Sequence, residues 1–212
     1  RDCSTVRQDR PVCIIGTVDM KRGKRSEARQ RILETADRLF YQEGICAVGI
    51  DRIVAEAGVA KMTLYTHFPS KNDLILAVLQ YREETLFDFL RDAMERHRQR
   101  LNDPLHAFFA SLKEWFTSPD FHGCAFQNAA MALADPNHPA TRFARDHKRR
   151  FTEMLRSVIE QSVGRKANEF VPMIALLVEG AMVTAAIQGT PEAADIAWNA
   201  TQRLVQASAR AK

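Results

Sequence analysis

The sequence has few of the residues that interrupt helices or cross-link small folds. Among 212 residues there are nine glycines, eight prolines and four cysteines. A β fold with many turns uses more glycine and proline, and four cysteines in a chain of this length do not make a disulfide scaffold. Alanine, leucine, glutamate and arginine, which are good helix formers, are abundant. The composition therefore favours a helical globular protein.

The sequence also lacks the common motifs of enzymes and metal sites. It contains no CxxC pair, no HExxH spacing, no nucleophile elbow and no glycine-rich phosphate loop. We therefore predict no catalytic residues, no cofactor and no bound metal. One regulatory alternative stays open, in which His122, Cys124 and His138 sense a metal or Cys124 responds to redox state.

No apolar run is both long and free of polar residues. The longest, residues 170–187, is interrupted by Pro172, Glu179, Gly180 and Thr184. A central glutamate is costly in a bilayer, so we interpret this run as a buried helix and predict no membrane partner. The apolar segment 11–16 is too short for a signal-peptide core. We expect a cytoplasmic protein, and we interpret residues 1–19, before Met20, as an extension without function.

The excess of positive charge is small and unevenly placed. The net charge is +4, and residues 1–30 account for all of it. Residues 21–31 hold six bases, including Lys24 and Arg25, against one acid, Glu27. A basic arm on a neutral body suggests a polyanionic partner, which is nucleic acid or an anionic membrane surface.

Helical spacing of apolar residues continues through most of the chain after Ser26. In the first such stretch Ile32, Leu33, Ala36, Leu39 and Phe40 form one helical stripe. Glycine or proline then separates successive stretches, as at Gly44, Pro104, the segment 135–139, Gly164 and the segment 189–191. No strand-like alternation occurs. We predict an all-α fold of about nine helices.

Two short helical patterns flank a glycine turn in the first third of the chain. Residues 49–57 precede Gly58, and residues 61–68 end at Pro69. Two short helices joined in this way are typical of a helix-turn-helix, whose second helix enters the DNA major groove. Apolar residues on the inner faces would pack together. The side chains left toward solvent are Lys61, Met62, Thr63, Tyr65, Thr66 and His67.

Residues 26–78 resemble the DNA-binding domain of the TetR (tetracycline-repressor) family of transcriptional regulators. The resemblance rests on Arg31-Ile-Leu, Ala36, Leu39-Phe40 and Gly44, on Ile53 to Val59, and on Thr63 to Lys71 with Leu74. Two positions depart from the family pattern. Gly49 stands where the family often has Thr or Ser, and Thr66 stands where it often has Arg, His or Tyr.

The resemblance implies roles for the exposed residues of the second short helix. Lys61 would donate to guanine or to a phosphate, and Met62 and Thr63 would contact a thymine methyl, with a phosphate as the alternative for Thr63. Tyr65 and His67 resemble phosphate contacts, although they would also suit packing of the small domain. Lys71 would add a cation at the same backbone. Thr66, Lys24 and Arg25 complete the predicted DNA-binding set.

The resemblance also implies a division into a DNA-binding part and a regulatory part. We predict a tail at 1–22, a helix-turn-helix domain at 23–72 and an effector-binding and dimerisation domain at 73–212. Dimerisation is expected through the last two helices, because the helix around Gly180 carries small residues that allow close approach. The aromatic residues of the middle helices suit an apolar pocket. The predicted pocket residues are Phe108, Phe109, Trp115, Phe116, Phe126, Met131 and Glu179.

The function implied is that of a ligand-responsive repressor which binds a palindromic DNA operator as a homodimer. Its partners would be double-stranded DNA, a second copy of the chain and an unknown small-molecule effector. The alternative is a metal- or redox-responsive regulator of the same fold. A membrane surface would attract the basic arm equally, but it would not require the solvent-facing set on the second short helix.

Overall fold

A computed structural model describes residues 27–210 of the protein. Within this range the chain forms nine α-helices and a 3-10 turn, Gly164–Lys166, with no strand. The all-α prediction is confirmed. The helices are α1 (Glu27–Glu43), α2 (Ile50–Ala57), α3 (Lys61–His67), α4 (Lys71–Arg98), α5 (Pro104–Phe116), α6 (Ala125–Leu133), α7 (Pro139–Val163), α8 (Ala167–Gln188) and α9 (Ala193–Arg210).

Short polar residues and proline set the starts of the longer helices. At α4 the Ser70 Oγ accepts a hydrogen bond from the Asp73 N–H at 3.1 Å. At α5 the Asp103 carboxylate accepts from the Leu105 N–H at 2.9 Å, and Pro104 occupies the first helical position. These contacts satisfy N–H groups that have no partner within the helix. The starts of both helices are therefore determined locally by the sequence.

The first three helices share one small core and rest on the start of α4. Leu39 of α1, Ile53 of α2 and Leu64 of α3 are each fully buried, and so is Leu74 of α4. The helix α4 then runs on for 28 residues and packs against α5 and α7. A single unbroken helix thus joins residues 27–70 to the remaining bundle; these residues carry the predicted helix-turn-helix, and we call them the DNA-binding unit.

The helix α8 differs from its sequence-based interpretation as a buried helix. Its inner face is covered, with Ile174 and Val178 fully buried, but Leu176 and Ile187 are 74% and 79% exposed. The interpretation was wrong for the outer face. Apolar content alone does not distinguish a helix that is buried on all sides from one that is buried on a single face. By length and composition α8 is also apolar enough to cross a membrane, as core helices of globular proteins often are.

Candidate nucleic-acid interface and effector cavities

The turn between α2 and α3 is formed by a residue in the left-handed region. Gly58 has φ +63°, and its N–H is bonded to the Ala55 carbonyl at 3.3 Å. Glycine adopts this conformation without the steric cost that a Cβ brings. The turn directs α3 so that Leu64 and the following Phe68 lie in the core, at 0% and 1% exposure. The opposite face of α3 is left on the surface.

The structure places four of the predicted DNA-binding residues together on this outer face of α3. Lys61, Met62, Tyr65 and Thr66 are exposed, Met62 to 75% and Tyr65 to 38%. The Thr66 hydroxyl donates to the Met62 carbonyl at 2.8 Å, so this hydroxyl is already hydrogen-bonded within the helix. Thr63 and His67 are half-buried at the edges of the face.

Lys61 has an acidic neighbour that was not identified from the sequence. Its Nζ lies 2.6 Å from Oδ1 of Asp51, in the first turn of α2. The hydrogen bond to Asp51 raises the pKa of Lys61 and keeps the ammonium charged. A base or phosphate must therefore compete with Asp51 for this ammonium group.

Two further cations, one in the DNA-binding unit and one at the start of α4, lie over aromatic rings. The Lys71 Nζ is 5.9 Å from the centroid of the Phe40 ring, and the Arg29 guanidinium is 5.1 Å from that of Phe68. Contacts of this kind orient a cation beside the small core. Lys71 is half-buried at the start of α4. The predicted arm residues Lys24 and Arg25 lie outside the described residues.

The predicted effector-pocket residues do not line a single cavity. Phe108 and Phe116 are packed in the core. Met131 is 77% exposed on α6, and both oxygens of Glu179 accept hydrogen bonds from the Lys148 ammonium at 2.6 Å. Phe109 borders one cavity, whereas Trp115 and Phe126 border another.

The larger cavity, about 330 Å³, lies between the end of α4, α5 and α9. Its apolar floor includes Phe109 and the Trp198 ring, which is stacked on His106 with centroids 4.6 Å apart. Its rim carries ion pairs such as Lys113 Nζ to Asp195 Oδ2 at 2.5 Å. The polar groups of this rim thus already bind one another.

The smaller cavity, about 50 Å³, lies where α1 meets α4, α5 and the start of α6, and we call it the junction cavity. Aromatic rings form much of its wall, and Asp37 of α1 and Arg82 of α4 lie beside them. The complete lining is Asp37, Tyr41, Tyr81, Arg82, Thr85, Leu86, Trp115, Ser118, Asp120, Phe121 and residues 123–126.

A buried ion pair connects the DNA-binding unit to α4 at this junction. The Arg82 Nε lies 2.5 Å from Oδ1 of Asp37, and the Asp37 carboxylate is 2% exposed. Burial raises the pKa of Asp37 to about 6, although the positive charge and hydrogen bonds of Arg82 oppose the rise. The pair was not predicted. The sequence does contain a sign that Asp37 is buried, because this residue falls on the apolar stripe of α1.

Tyr41 extends this connection to the segment before α6. The Arg82 guanidinium lies 3.6 Å from the centroid of the Tyr41 ring. The Tyr41 hydroxyl donates to the Gly123 carbonyl at 2.7 Å and accepts from the His122 N–H at 3.0 Å. Helix α1 is thereby bonded both to α4 and to the segment before α6.

A second buried ionisable residue, His147 of α7, was also missed from the sequence. Its Nδ1 lies 2.9 Å from Glu83 Oε1, and its ring stacks on Phe126 with centroids 3.4 Å apart. Burial lowers the pKa of His147 to about 4, against the opposing effect of Glu83. Its position on the buried face of α7 follows from helical spacing, but the partners on α4 and α6 do not.

The described residues contain no group of three or more His, Cys, Asp or Glu side chains arranged to hold a metal ion. His138 Nδ1 accepts from the Ala140 N–H and so caps α7. The His122 ring contacts Tyr41, and Cys124 is a buried free thiol. The three residues considered for metal sensing thus serve as local packing and capping groups in this structure.

Comparison with known proteins identifies relatives of both parts of the chain. Residues 32–78 match the family of bacterial regulatory proteins described as tetR. The transcriptional activator FasR of Mycolicibacterium smegmatis is 42% identical over 88 residues, which are 40% of this chain and 40% of FasR. The chain is thus aligned with about two fifths of the length of that relative.

Solved structures match over a longer range. A TetR-family regulator from Streptomyces coelicolor is 34% identical, with a TM-score of 0.75 over 86% of this chain and 96% of that one. A transcriptional regulator from Saccharomonospora viridis in complex with choline is 23% identical, with a TM-score of 0.63 over 86% and 97%. At 23% identity, the match to the Saccharomonospora viridis protein shows a shared fold alone.

Proposed function

This chain belongs to the TetR family of helix-turn-helix, DNA-binding transcriptional regulators, and from that premise we propose that it is a ligand-responsive repressor which binds a palindromic operator as a homodimer. Its relatives are regulators rather than enzymes. We further propose that residues 23–72 form the DNA-binding domain, that residues 73–212 bind the effector and the second subunit, and that the protein acts in the cytoplasm.

The outer face of α3 supports the assignment of the DNA contact. It presents a cation, a thioether, a phenol and a methyl group from adjacent positions of one helix: Lys61, Met62, Tyr65 and Thr66. This mixture provides a donor for guanine or phosphate and apolar groups for thymine methyls. The exposure of these side chains beside a fully packed inner face is the observation that carries the proposal.

The outer face of α8 supports the homodimer. Met173, Leu176, Gly180, Val183 and Ile187 are all exposed and follow one another at spacings of three and four residues. Such a stripe is the pattern of a helix that packs against another helix. A stripe of this kind, left in water, would favour association. We propose that α8, with α9 beside it, forms half of a four-helix bundle between subunits.

Dimerisation would explain how a helix as short as α3 achieves specific binding, because two copies of it would contact the DNA together. A two-fold dimer presents one α3 to each half of an inverted repeat, with centres one or more DNA turns apart, each turn about 34 Å. An effector that favours another spacing of the two helices would release the operator. The choline complex of the Saccharomonospora viridis protein is a small-molecule complex in the same fold.

The test is selection of bound sequences from random double-stranded DNA with the full chain. An inverted repeat bound by two chains, followed by lower transcription from a promoter that carries it, is expected. Selected sites without symmetry, or one chain per site by sedimentation, would contradict the dimer proposal. Transcription that rises on binding would instead assign the activating role that the name of FasR describes.

A further inference from the structure

We propose that the junction cavity binds an aromatic carboxylic acid, whose carboxylate replaces that of Asp37 at Arg82 and so disconnects α1 from α4. The inference rests on the proposed function as a ligand-responsive regulator and names the ligand class and the contact through which the ligand acts. The cavity, the ion pair and the bonded tyrosine beside it together support this inference.

The walls of the cavity belong to two different parts of the protein. Asp37 and Tyr41 come from α1 of the DNA-binding unit, whereas Arg82 comes from α4 and Trp115 from α5. A molecule held here therefore touches both the DNA-binding unit and the regulatory bundle. Its binding energy depends directly on how these two parts are positioned.

The cavity is so small that a bound ligand must change how the DNA-binding unit and the bundle are positioned. The free space is about 50 Å³, whereas a cavity that accepts benzene measures about 150 Å³. An aromatic ligand must therefore move the walls apart or displace a side chain. At this cavity the side chains of α1 and α4 meet through an ion pair and a ring contact, so these two walls can move apart without breaking a covalent bond.

The lining favours an aromatic ring with a carboxylate. Tyr81, Trp115 and Phe121 supply ring faces and edges for stacking. Arg82 is the cation of the lining, and its side chain is 13% exposed. A guanidinium in such surroundings binds carboxylates strongly, through paired N–H donors. A ligand carboxylate offers Arg82 the same acceptor atoms that Asp37 offers now.

Charge is conserved in the buried site when the two carboxylates exchange. The ligand anion forms the ion pair with Arg82, and one proton from solvent binds to a carboxylate oxygen of Asp37, forming an O–H bond. Asp37 then becomes neutral and leaves no uncompensated buried charge. Burial already raises the pKa of Asp37 to about 6 against the opposing effect of Arg82, and the loss of Arg82 as its partner raises that pKa further, which favours the protonation. Binding therefore takes up one proton per site.

The consequence is a loosened connection between α1 and the bundle. Arg82 is placed over Tyr41 while it holds Asp37. When Asp37 is released, α1 loses its side-chain ion pair with α4 at this junction and keeps the hydroxyl contacts of Tyr41 with His122 and Gly123. The DNA-binding unit gains freedom to leave the position that fits the operator, and operator DNA weakens ligand binding by the same factor.

Three probes with the same ring test the ligand class, namely benzoate, neutral benzamide and cationic benzamidine. We expect benzoate to bind at least about tenfold tighter than the other two, since hydrogen bonds between two charged groups are stronger than those to a neutral amide, and a cation is repelled by Arg82. Calorimetry in buffers of different ionisation enthalpy should show uptake of one proton for benzoate only. Equal affinities for the three probes, or tighter binding of benzamidine, would overturn the proposal.

The two tryptophans allow the site to be located. Trp115 lines the junction cavity, and Trp198 lines the larger one. The fluorescence change on adding benzoate should persist in Trp198→Phe and disappear in Trp115→Phe, while calorimetric binding is retained in both. A change that depends on Trp198 would place the ligand in the larger cavity and refute the assignment.

Substitutions at Arg82 test the exchange. Arg82→Lys should retain part of the preference for benzoate and Arg82→Gln should lose it, whereas Arg149→Gln, at an exposed cation of α7, should bind like the parent chain.

Asp37→Asn, with no probe added, should weaken operator binding. If Asp37→Asn folds and binds the operator as tightly as the parent, the coupling is refuted. If no palindromic operator is found, the proposed function is refuted. The benzoate measurements then still decide whether the junction cavity binds an aromatic carboxylate.

Discussion

At the scale of single residues, two buried ionisable groups act in opposite directions on pH-dependent stability. Asp37, facing Arg82 and Glu34, has its pKa raised from 3.8 to about 6 by burial. His147, facing Glu83, Lys148 and Arg150, has its pKa lowered from 6.5 to about 4, again by burial. Both shifts favour the neutral form in the folded state. They belong to different helices and are separable by substitution.

The two shifts predict opposite pH slopes. The contribution of Asp37 to stability is complete below pH 3.8 and is lost as pH rises through 6. That of His147 is complete above pH 6.5 and is lost as pH falls through 4. Each corresponds to about 3 kcal/mol. In the parent chain the two effects largely offset one another between pH 4 and 6.

Substitutions should expose each slope. Relative to the parent, Asp37→Asn should lose stability as pH falls from 6 to 4, because only the His147 effect remains. His147→Phe, which keeps a ring to stack on Phe126, should gain stability over the same range. Urea unfolding across this pH range measures both free energies. The same pH slope in the two variants would show that these groups do not titrate in this way.

A second residue-scale prediction separates base reading from phosphate contact in the DNA-binding set. Lys61→Ala should weaken binding at selected operator positions, by about 1–3 kcal/mol where it reads a guanine. Lys71→Ala should weaken binding to all sequences alike and reduce the salt slope by about one. Titration of operator and random duplexes at several salt concentrations measures both effects. Equal losses on both DNAs from both variants would refute this division of roles.

At the scale of elements, α4 is the longest helix and the one that spans the junction. The predicted boundary between residues 72 and 73 falls within its first turn. Its start is held by the Ser70 hydroxyl, which accepts from the Asp73 N–H and donates to the Asp73 carboxylate at 2.7 Å. A helix that is continuous across this boundary transmits a displacement of one end to the other.

The cap of α4 should therefore carry measurable stability. Ser70→Ala should lower the free energy of unfolding by about 1 kcal/mol, since it leaves an N–H without its partner at the first turn. Ser157→Ala, on the exposed face of α7, is the matched control. There the change should be neutral or slightly stabilising, because alanine is the better helix former. Equal effects of the two substitutions would contradict the role of the cap.

At the scale of the whole molecule, the exposed stripe on α8 predicts the state of assembly. Leu176→Glu and Ile187→Glu would each bring a charge into an apolar contact between subunits, where it would have no partner. Either should convert the protein to a monomer and weaken operator binding. Sedimentation and operator titration measure the two effects.

The control for this prediction is another exposed apolar residue. Met131 is as accessible as Ile187 but lies on α6, away from the stripe. Met131→Glu should leave both assembly and operator binding unchanged. If it dissociated the protein while Leu176→Glu did not, the interface would lie on a different face.

The helices and the DNA-binding motif were largely predictable because their determinants are local. Apolar spacing marked the inner face of each helix, and residues such as Gly58, Ser70 and Pro104 marked where the helices end or begin. Contacts of this kind lie within a few residues of each other along the chain. Their geometry follows from a single helix or turn.

The junction between the two parts of the molecule was decided only by tertiary structure. Asp37 and Arg82 are 45 positions apart, and Tyr41 and Gly123 are 82 apart. Spacing within a helix indicates that Asp37 is buried, but it does not show which cation forms an ion pair with the Asp37 carboxylate. The sequence by itself therefore determined the all-α fold and the exposed face of α3 that we propose to contact DNA. The packing of α1 against α4 and against the segment before α6 decided which buried charges meet. Burial makes a charge dependent on a partner, and only the folded chain brings that partner near.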